Sequence, residues 1–343
     1  MSKYGFPTKL INENKLGKES ENKKLKSFLT PNLSQIRYEK PQRSFFRPFE
    51  MAMCFVFFNP AKSVRLLSNY LYTIEKLRTA RIPFYTLELC YGENHPEIKK
   101  AFHIRTQEDN VMFHKEQLCH LLEKKIPWQY TKLCFADADI IFENASFYDE
   151  ICDLLNSNDI VQPFQSAKWV NSTYQTIFQE RKSCALMNKN GPFESRDFHP
   201  GFAWAFKRNW FQKVGFFQHS ITGSGDTLSV SAWLQMLPPK VCNLKSLRTQ
   251  YENFCNLVKK FPPSIACGKF SVYHLWHGTH LKRQYVNRHL ILRNVEDIDD
   301  ILEKNECGLF EFNYGRDHES HAMVKRVSNE LQKYFEERED DEV

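Results

Sequence analysis

Two carboxylates one residue apart, Asp137 and Asp139, stand in the run Phe135-Ala136-Asp137-Ala138-Asp139-Ile140-Ile141-Phe142, between apolar stretches. In an extended segment, alternation turns both side chains to one side, where they converge on a hard cation or on the water shell around it. Left unpaired at the end of a buried strand, two like charges are costly, and a divalent metal removes that cost. The competing reading is of strand-end aspartates bonded to loop amides or paired with a lysine.

A second group follows an apolar run: His274 and His277 in Tyr273-His274-Leu275-Trp276-His277-Gly278, with Lys282, Arg283, Arg288 and Arg293 close behind. Their spacing lets both imidazoles reach one point on a turn, and imidazole ligates manganese or zinc alongside carboxylates. The cations suit a polyphosphate. A third group is Gly223-Ser224-Gly225-Asp226, which opens a helix, so that Asp226 is either its N-cap or a catalytic carboxylate on a tight loop. Upstream, Trp204 beside Gly201 offers an apolar plate for a sugar ring, or a core aromatic.

These groups need a scaffold. Met53 to Phe58 is an apolar run that reads as a buried strand ending at Asn59-Pro60, and Val64, Leu67, Leu71, Ile74 and Leu77 repeat as one helix face before Pro83. A strand from Phe84 to Cys90, a helix starting near His114 and a strand from Lys132 to Ala136 complete an alternation that predicts an α/β sheet with parallel strands. Ligands gather at the carboxyl ends of such strands, and Asp137 lies at one of them. The second half predicts a mixed topology, with strands around Ile160–Phe164, Phe202–Phe206, Val241–Leu244 and Phe270–His274 and helices near Trp210 and between Asp226 and Leu237.

At 343 residues with 42% apolar and 26% charged, the chain is an ordinary folded one, and collagen-like, disordered and mini-protein classes are excluded. Ten cysteines lie singly, with no Cys-x-x-Cys pair, as in a reducing compartment. There is no apolar run long enough for a membrane span, and a soluble, cytoplasmic protein is expected. The net charge of +6 suggests nucleic acid until it is located: residues 1–48 carry +7 and the rest −1. The excess belongs to a polar, basic N-terminal arm, and no nucleic-acid partner is expected. The expected organisation is this arm (1–48), a catalytic domain (49–312), and a C-terminal helix with an acidic tail (313–343); the sequence leaves oligomeric state open.

Taken in order, the groups resemble the nucleotide-sugar glycosyltransferases of the GT-A fold over about residues 50–312. Asp-x-Asp after a strand is similar to that family's metal motif, and His199-Pro200-Gly201-Phe202-Ala203-Trp204 followed by Gly223-x-Gly225-Asp226 to its acceptor and catalytic region. Tyr273-His274-Leu275-Trp276-His277-Gly278 resembles the loop that completes the metal site, in a β-1,4-galactosyltransferase-like arrangement, and Asp297-Ile298-Asp299 before Gly308 its C-terminal flank.

The resemblance implies a Rossmann-like mixed central sheet flanked by helices, a Mn2+ or Mg2+ cofactor and a nucleoside-diphosphate sugar, most simply a UDP-sugar, as donor to a glycan or protein hydroxyl. It implies Asp139 as direct metal ligand, Asp137 on the donor ribose or the metal's water shell, and His277 with His274 completing the site. Asp226 becomes the general base of an inverting displacement, Lys115 and Trp204 donor contacts, and Asn59 and Arg65 the neighbours of the nucleotide base. One departure is Gly-Ser-Gly-Asp in place of a doubled acidic pair, which leaves inversion or retention open. A metal-dependent nucleotidyltransferase and a catalytically silent sugar-binding module are the rival readings.

Overall fold

The run MAMCFVFF holds no polar residue, so a strand built from it has to be covered on both faces. In the computed structural model, which describes residues 33–42, 49–187, 193, 196–237, 245–279, 281–315 and 317–341, it forms β1, Met51–Phe58. Alternation along β1 feeds two cores: Ala52 and Cys54 join one, while Met51, Met53, Phe55 and Phe57 join the other. The expected strand at Val241–Leu244 and most of the N-terminal arm lie outside the described residues.

In chain order, β1 is followed by helix α1 (Val64–Thr79), β2 (Phe84–Tyr91), β3 (Phe102–Thr106), α2 (Lys115–Glu123), β4 (Lys132–Ala136) and β5 (Ile140–Phe142). Next come α3 (Phe147–Ser157), β6 (Ile160–Gln162), β7 (Ser166–Val170), β8 (Ile177–Ser183), β9 (Phe198–His199) and β10 (Ala203–Lys207). The chain continues through α4 (Arg208–Lys213), α5 (Gly225–Trp233), α6 (Arg248–Lys260), β11 (Ile265–Cys267), β12 (Ser271–His274) and α7 (His318–Glu336).

Among the described residues the main sheet has seven strands in the order β11-β6-β10-β4-β1-β2-β3. β4, β1, β2 and β3 run parallel, and β10 enters antiparallel between β4 and β6, so the sheet is mixed as expected. A second sheet, β5-β12-β7-β8-β9, stands beside it. The main sheet is flanked by helices on both faces. α1 and α3 bury Tyr70, Ile74 and Ile151 in one core, and α2, α5, α6 and α7 bury Leu118, Leu228, Tyr251 and Leu331 in the other.

Local signals explain the boundaries. Ser63 accepts the Leu66 N–H at 3.1 Å and caps α1, which stops where Arg81 turns into the left-handed region before Pro83. Within the expected lead-in, Leu33 and Tyr38 are buried against α1 and α3, and the Tyr38 hydroxyl accepts the Phe142 N–H at 2.9 Å. At the other end, α7 places Val324, Val327, Leu331, Tyr334 and Phe335 in the same core as α2 and α5. Among the described residues no helix is long and apolar enough to cross a membrane.

Candidate metal centre and active site

β4 delivers the chain to Ala136, where the Asp137 N–H donates to the Phe202 carbonyl at 2.7 Å. A turn at Ala138 and Asp139 then separates β4 from β5. The segment turns instead of staying extended, and the two carboxylates meet different nearest partners, Lys115 and His277. The Asp139 backbone carbonyl accepts from Leu275 N–H at 2.8 Å, which ties the turn to the end of β12. Antiparallel pairing of β12 with β5 sets His274 opposite Ile140, directly beside Asp139.

Asp139, His274 and His277 therefore meet, with one ligand atom from each within 4.8 Å of the others. His277 Nε2 lies 2.8 Å and His274 Nε2 3.5 Å from Asp139 Oδ2, and the two imidazole nitrogens are 3.0 Å apart. Asp139 Oδ1 is buried with no hydrogen-bond partner, a cost that a cation would relieve. One carboxylate and two imidazoles form a donor set for a divalent metal, so the residues fit the ion that the sequence implies. Burial opposes the charge on Asp139, but the two imidazoles and Arg283 outweigh it and hold the carboxyl well below the usual range. Phe202, at a positive φ of 72°, stacks its ring on His274 at 4.8 Å and fixes that imidazole.

Asp137 belongs to a different group. Its Oδ1 is 2.5 Å from Lys115 Nζ, the lysine pairing that was the competing reading of the motif, and it is outside the three-residue cluster. Lys115 and Glu116 open α2, Asp226 opens α5, and these side chains line one cavity with Asp137, Gly201 and Trp204. Burial disfavours the Lys115 ammonium, yet Asp137, Asp226 and Glu116 outweigh it and raise its pKa. For Glu116 burial dominates and pushes the carboxyl up to about 7, against the pull of Lys115.

The glycines here are set by close approach. A Cβ on Gly225 would sit 2.4 Å from Glu116 Cδ, and one on Gly201 2.6 Å from Asp226 Oδ2. Asp226 Oδ1 accepts the Thr227 N–H at 2.7 Å, which leaves Oδ2 as the oxygen facing Gly201. The preceding Ser224 takes a positive φ of 69°, so Asp226 lies inside the first turn of α5 and is not its N-cap.

The remaining expected contacts are placed as follows. Asn59 is buried and closes the β1–α1 loop: its Oδ1 accepts from Ser63 N–H at 2.8 Å and its Nδ2 donates to Ser63 O at 3.0 Å and to Glu97 at 3.2 Å. Arg65 lies in the first turn of α1, its backbone N–H donating to Asp341 at 2.8 Å. Trp204 is not an exposed plate. It is 2% exposed, donates to Pro200 O at 2.6 Å, packs edge-on to Trp233 and lines the same cavity as Asp226.

The basic loop after His277 is engaged by the C-terminal chain. Lys282 pairs with Glu339 at 2.7 Å, Arg283 approaches Asp340 to 3.6 Å, and Arg288 donates to the Tyr334 hydroxyl at 3.2 Å. Sequence reasoning missed Glu116 and Asp340. Glu116 adjoins the singled-out Lys115, and Asp340 sits in the acidic run that had been weighed only as bulk charge.

No family model matches the chain, and no curated protein matches it. Similar solved structures include a Drosophila β-1,4-galactosyltransferase 7 in complex with manganese, UDP-Gal and xylobiose. It is 10% identical, with 81% of this chain and 99% of that one covered and a TM-score of 0.40. Glucosyl-3-phosphoglycerate synthase from Mycobacterium tuberculosis, in complex with Mg2+ and UDP, is 11% identical over 74% of this chain and 85% of that one, at a TM-score of 0.36. A 4-diphosphocytidyl-2C-methyl-D-erythritol synthase from Anaerococcus prevotii is 8% identical over 65% and 89%, at 0.32.

Proposed function

We propose that this chain is a metal-dependent glycosyltransferase of GT-A type, which moves a sugar from a nucleoside-diphosphate sugar, with UDP as the nucleotide, to a hydroxyl of a glycan or protein acceptor. The observation that carries this reading is the meeting of Asp139, His274 and His277 around a buried, unbonded carboxylate oxygen at the carboxyl end of β4. These three would hold Mn2+ or Mg2+, which when bound supplies Lewis-acid neutralisation of charge on a departing diphosphate.

Asp226 is the general base. One oxygen is fixed by Thr227 and the other faces the cavity, where a hydroxyl can give up its proton in an inverting displacement. Lys115, held protonated by its carboxylate neighbours, orients Asp137 and meets the donor from the same wall. Burial pushes the thiols of Cys54, Cys119 and Cys184 up, which keeps them from acting as nucleophiles beside the cavity.

The test is a panel of nucleotide sugars incubated with the protein and Mn2+, watching nucleoside-diphosphate release and the melting temperature. Slow hydrolysis of one donor with a rise in melting temperature is expected. Absence of both overturns the reading, and tight, salt-sensitive polynucleotide binding would favour a nucleotidyltransferase instead.

A further inference from the structure

His277 turns its two ring nitrogens to different partners. Nε2 faces Asp139 at 2.8 Å, and Nδ1 faces Asp340 Oδ1 at 3.4 Å. Asp340 is 6% exposed, 201 positions along the chain from Asp139, and reaches the site from the segment after α7. A ligating imidazole presents a lone pair on one nitrogen, and the proton on the other needs an acceptor. Arg283 crowds the same ring, with Nη2 2.8 Å from Nε2 and in contact with Nδ1. A guanidinium only donates, so it cannot accept that proton, and it favours a lone pair on whichever ring nitrogen it faces. Asp340 is the acceptor that reaches Nδ1.

The segment that carries Asp340 is held both by α1 and by the loop after His277. Asp341 accepts from Ser63 Oγ at 2.7 Å and from the Arg65 and Val64 N–H groups at 2.8 and 3.2 Å, on the first turn of α1. On the other side Arg338 lies 3.1 Å from Asp340, and the Tyr334 hydroxyl donates to Arg283 O at 2.9 Å. Gly278, at φ 86°, lets the segment pass: a Cβ there would lie 3.0 Å from Glu339 O and 3.3 Å from Asp340 Cα.

We propose that Asp340 is a positioning residue of the metal centre, which holds His277 with its proton on Nδ1 and its Nε2 lone pair toward the metal. The C-terminal segment Arg338 to Asp341 is thereby part of the active site. This rests on the metal-centre reading above.

The test titrates Mn2+ alone into the full chain by calorimetry, for the wild type, Asp139→Asn, Asp340→Asn and Asp340→Glu. Binding to the wild type, loss in Asp139→Asn, a fall of about 10–100-fold in Asp340→Asn and partial recovery in Asp340→Glu are expected. In the Zn2+-loaded wild type, 15N-histidine spectra should show the His277 proton on Nδ1, a signature that weakens in Asp340→Asn. Unchanged or tighter Mn2+ binding in Asp340→Asn, beside a wild type that binds and an Asp139→Asn that does not, overturns the role of Asp340 alone. If the wild type binds no Mn2+, or Asp139→Asn binds it equally well, the metal centre itself is refuted and the role of Asp340 with it.

Discussion

Asp137 and Asp139, separated by one alanine, face different nearest partners, the first 2.5 Å from the Lys115 ammonium and the second 2.8 Å from His277 Nε2, while the two carboxylates still repel one another. A turn lies between β4 and β5, and of the two carboxylates only Asp139 joins His274 and His277.

Single substitutions should therefore split. Asp139→Asn is expected to abolish Mn2+ binding, whereas Asp137→Asn keeps it and raises the KM for the donor. Calorimetry with Mn2+ and steady-state donor kinetics read the two effects separately. Equal loss of metal in both variants would show that the carboxylates share one ion.

Asp226→Asn should lower kcat by about 10²–10⁴-fold, the usual worth of a positioned general base, with Mn2+ affinity and donor KM close to wild type. A variant whose loss lies wholly in KM would place Asp226 in binding and leave the base to be found elsewhere.

Glu116 gives stability a pH signature. Its folded-state pKa, pushed up to about 7 by burial, lies above the ordinary 4.5, so between these values the native state holds a proton that the unfolded chain has released. Stability from this group thus falls as pH rises from about 4.5 to about 7, by at most about 3 kcal/mol. Glu116→Gln removes the titration, and its melting temperature relative to wild type should be higher at pH 8 than at pH 5. A difference independent of pH would mean that Glu116 is ionised throughout.

Gly225→Ala should destabilise by about 1–3 kcal/mol, because the new methyl overlaps the buried Glu116 carboxyl, which has to shift to admit it. Glu116→Ala in the same chain should return much of that loss. A denaturant-based double-mutant cycle measures the coupling, and additive effects would locate the strain in the α5 backbone instead.

How much of this was legible in the sequence depends on what each element buries. β1 and β4 were readable because both are covered on two faces and leave unbroken apolar runs, and β4 was placed at its observed bounds, Lys132–Ala136. β3, Phe-His-Ile-Arg-Thr, is an edge strand with polar and charged residues and so leaves no apolar run, and the three-residue β5 merges with the apolar residues around the turn. α6 carries Tyr251, Phe254 and Val258 on one face, a helical spacing present in the sequence and left unread between polar residues. At the site, the spacing of His274 and His277 was enough to bring both to Asp139. The separate partner of Asp137 was hidden because it depends on a turn and on a lysine 22 positions earlier. Asp340 was hidden for a similar reason, since an acidic run shows its charge in sequence but not which carboxylate is buried.

The capping of α1 by Asp341 joins residues 276 apart in the chain. A ribosome makes the sheet, both histidines and the loop that carries Asp226 well before it reaches that carboxylate. A nascent chain stalled short of Arg338 would hold a nearly whole core but an open first turn of α1 and an unsupported His277. Closure of the first turn of α1 thus waits on a carboxylate made long after the helix itself, and a chain cut before Arg338 should resemble an assembly intermediate more closely than a folded protein with a missing segment.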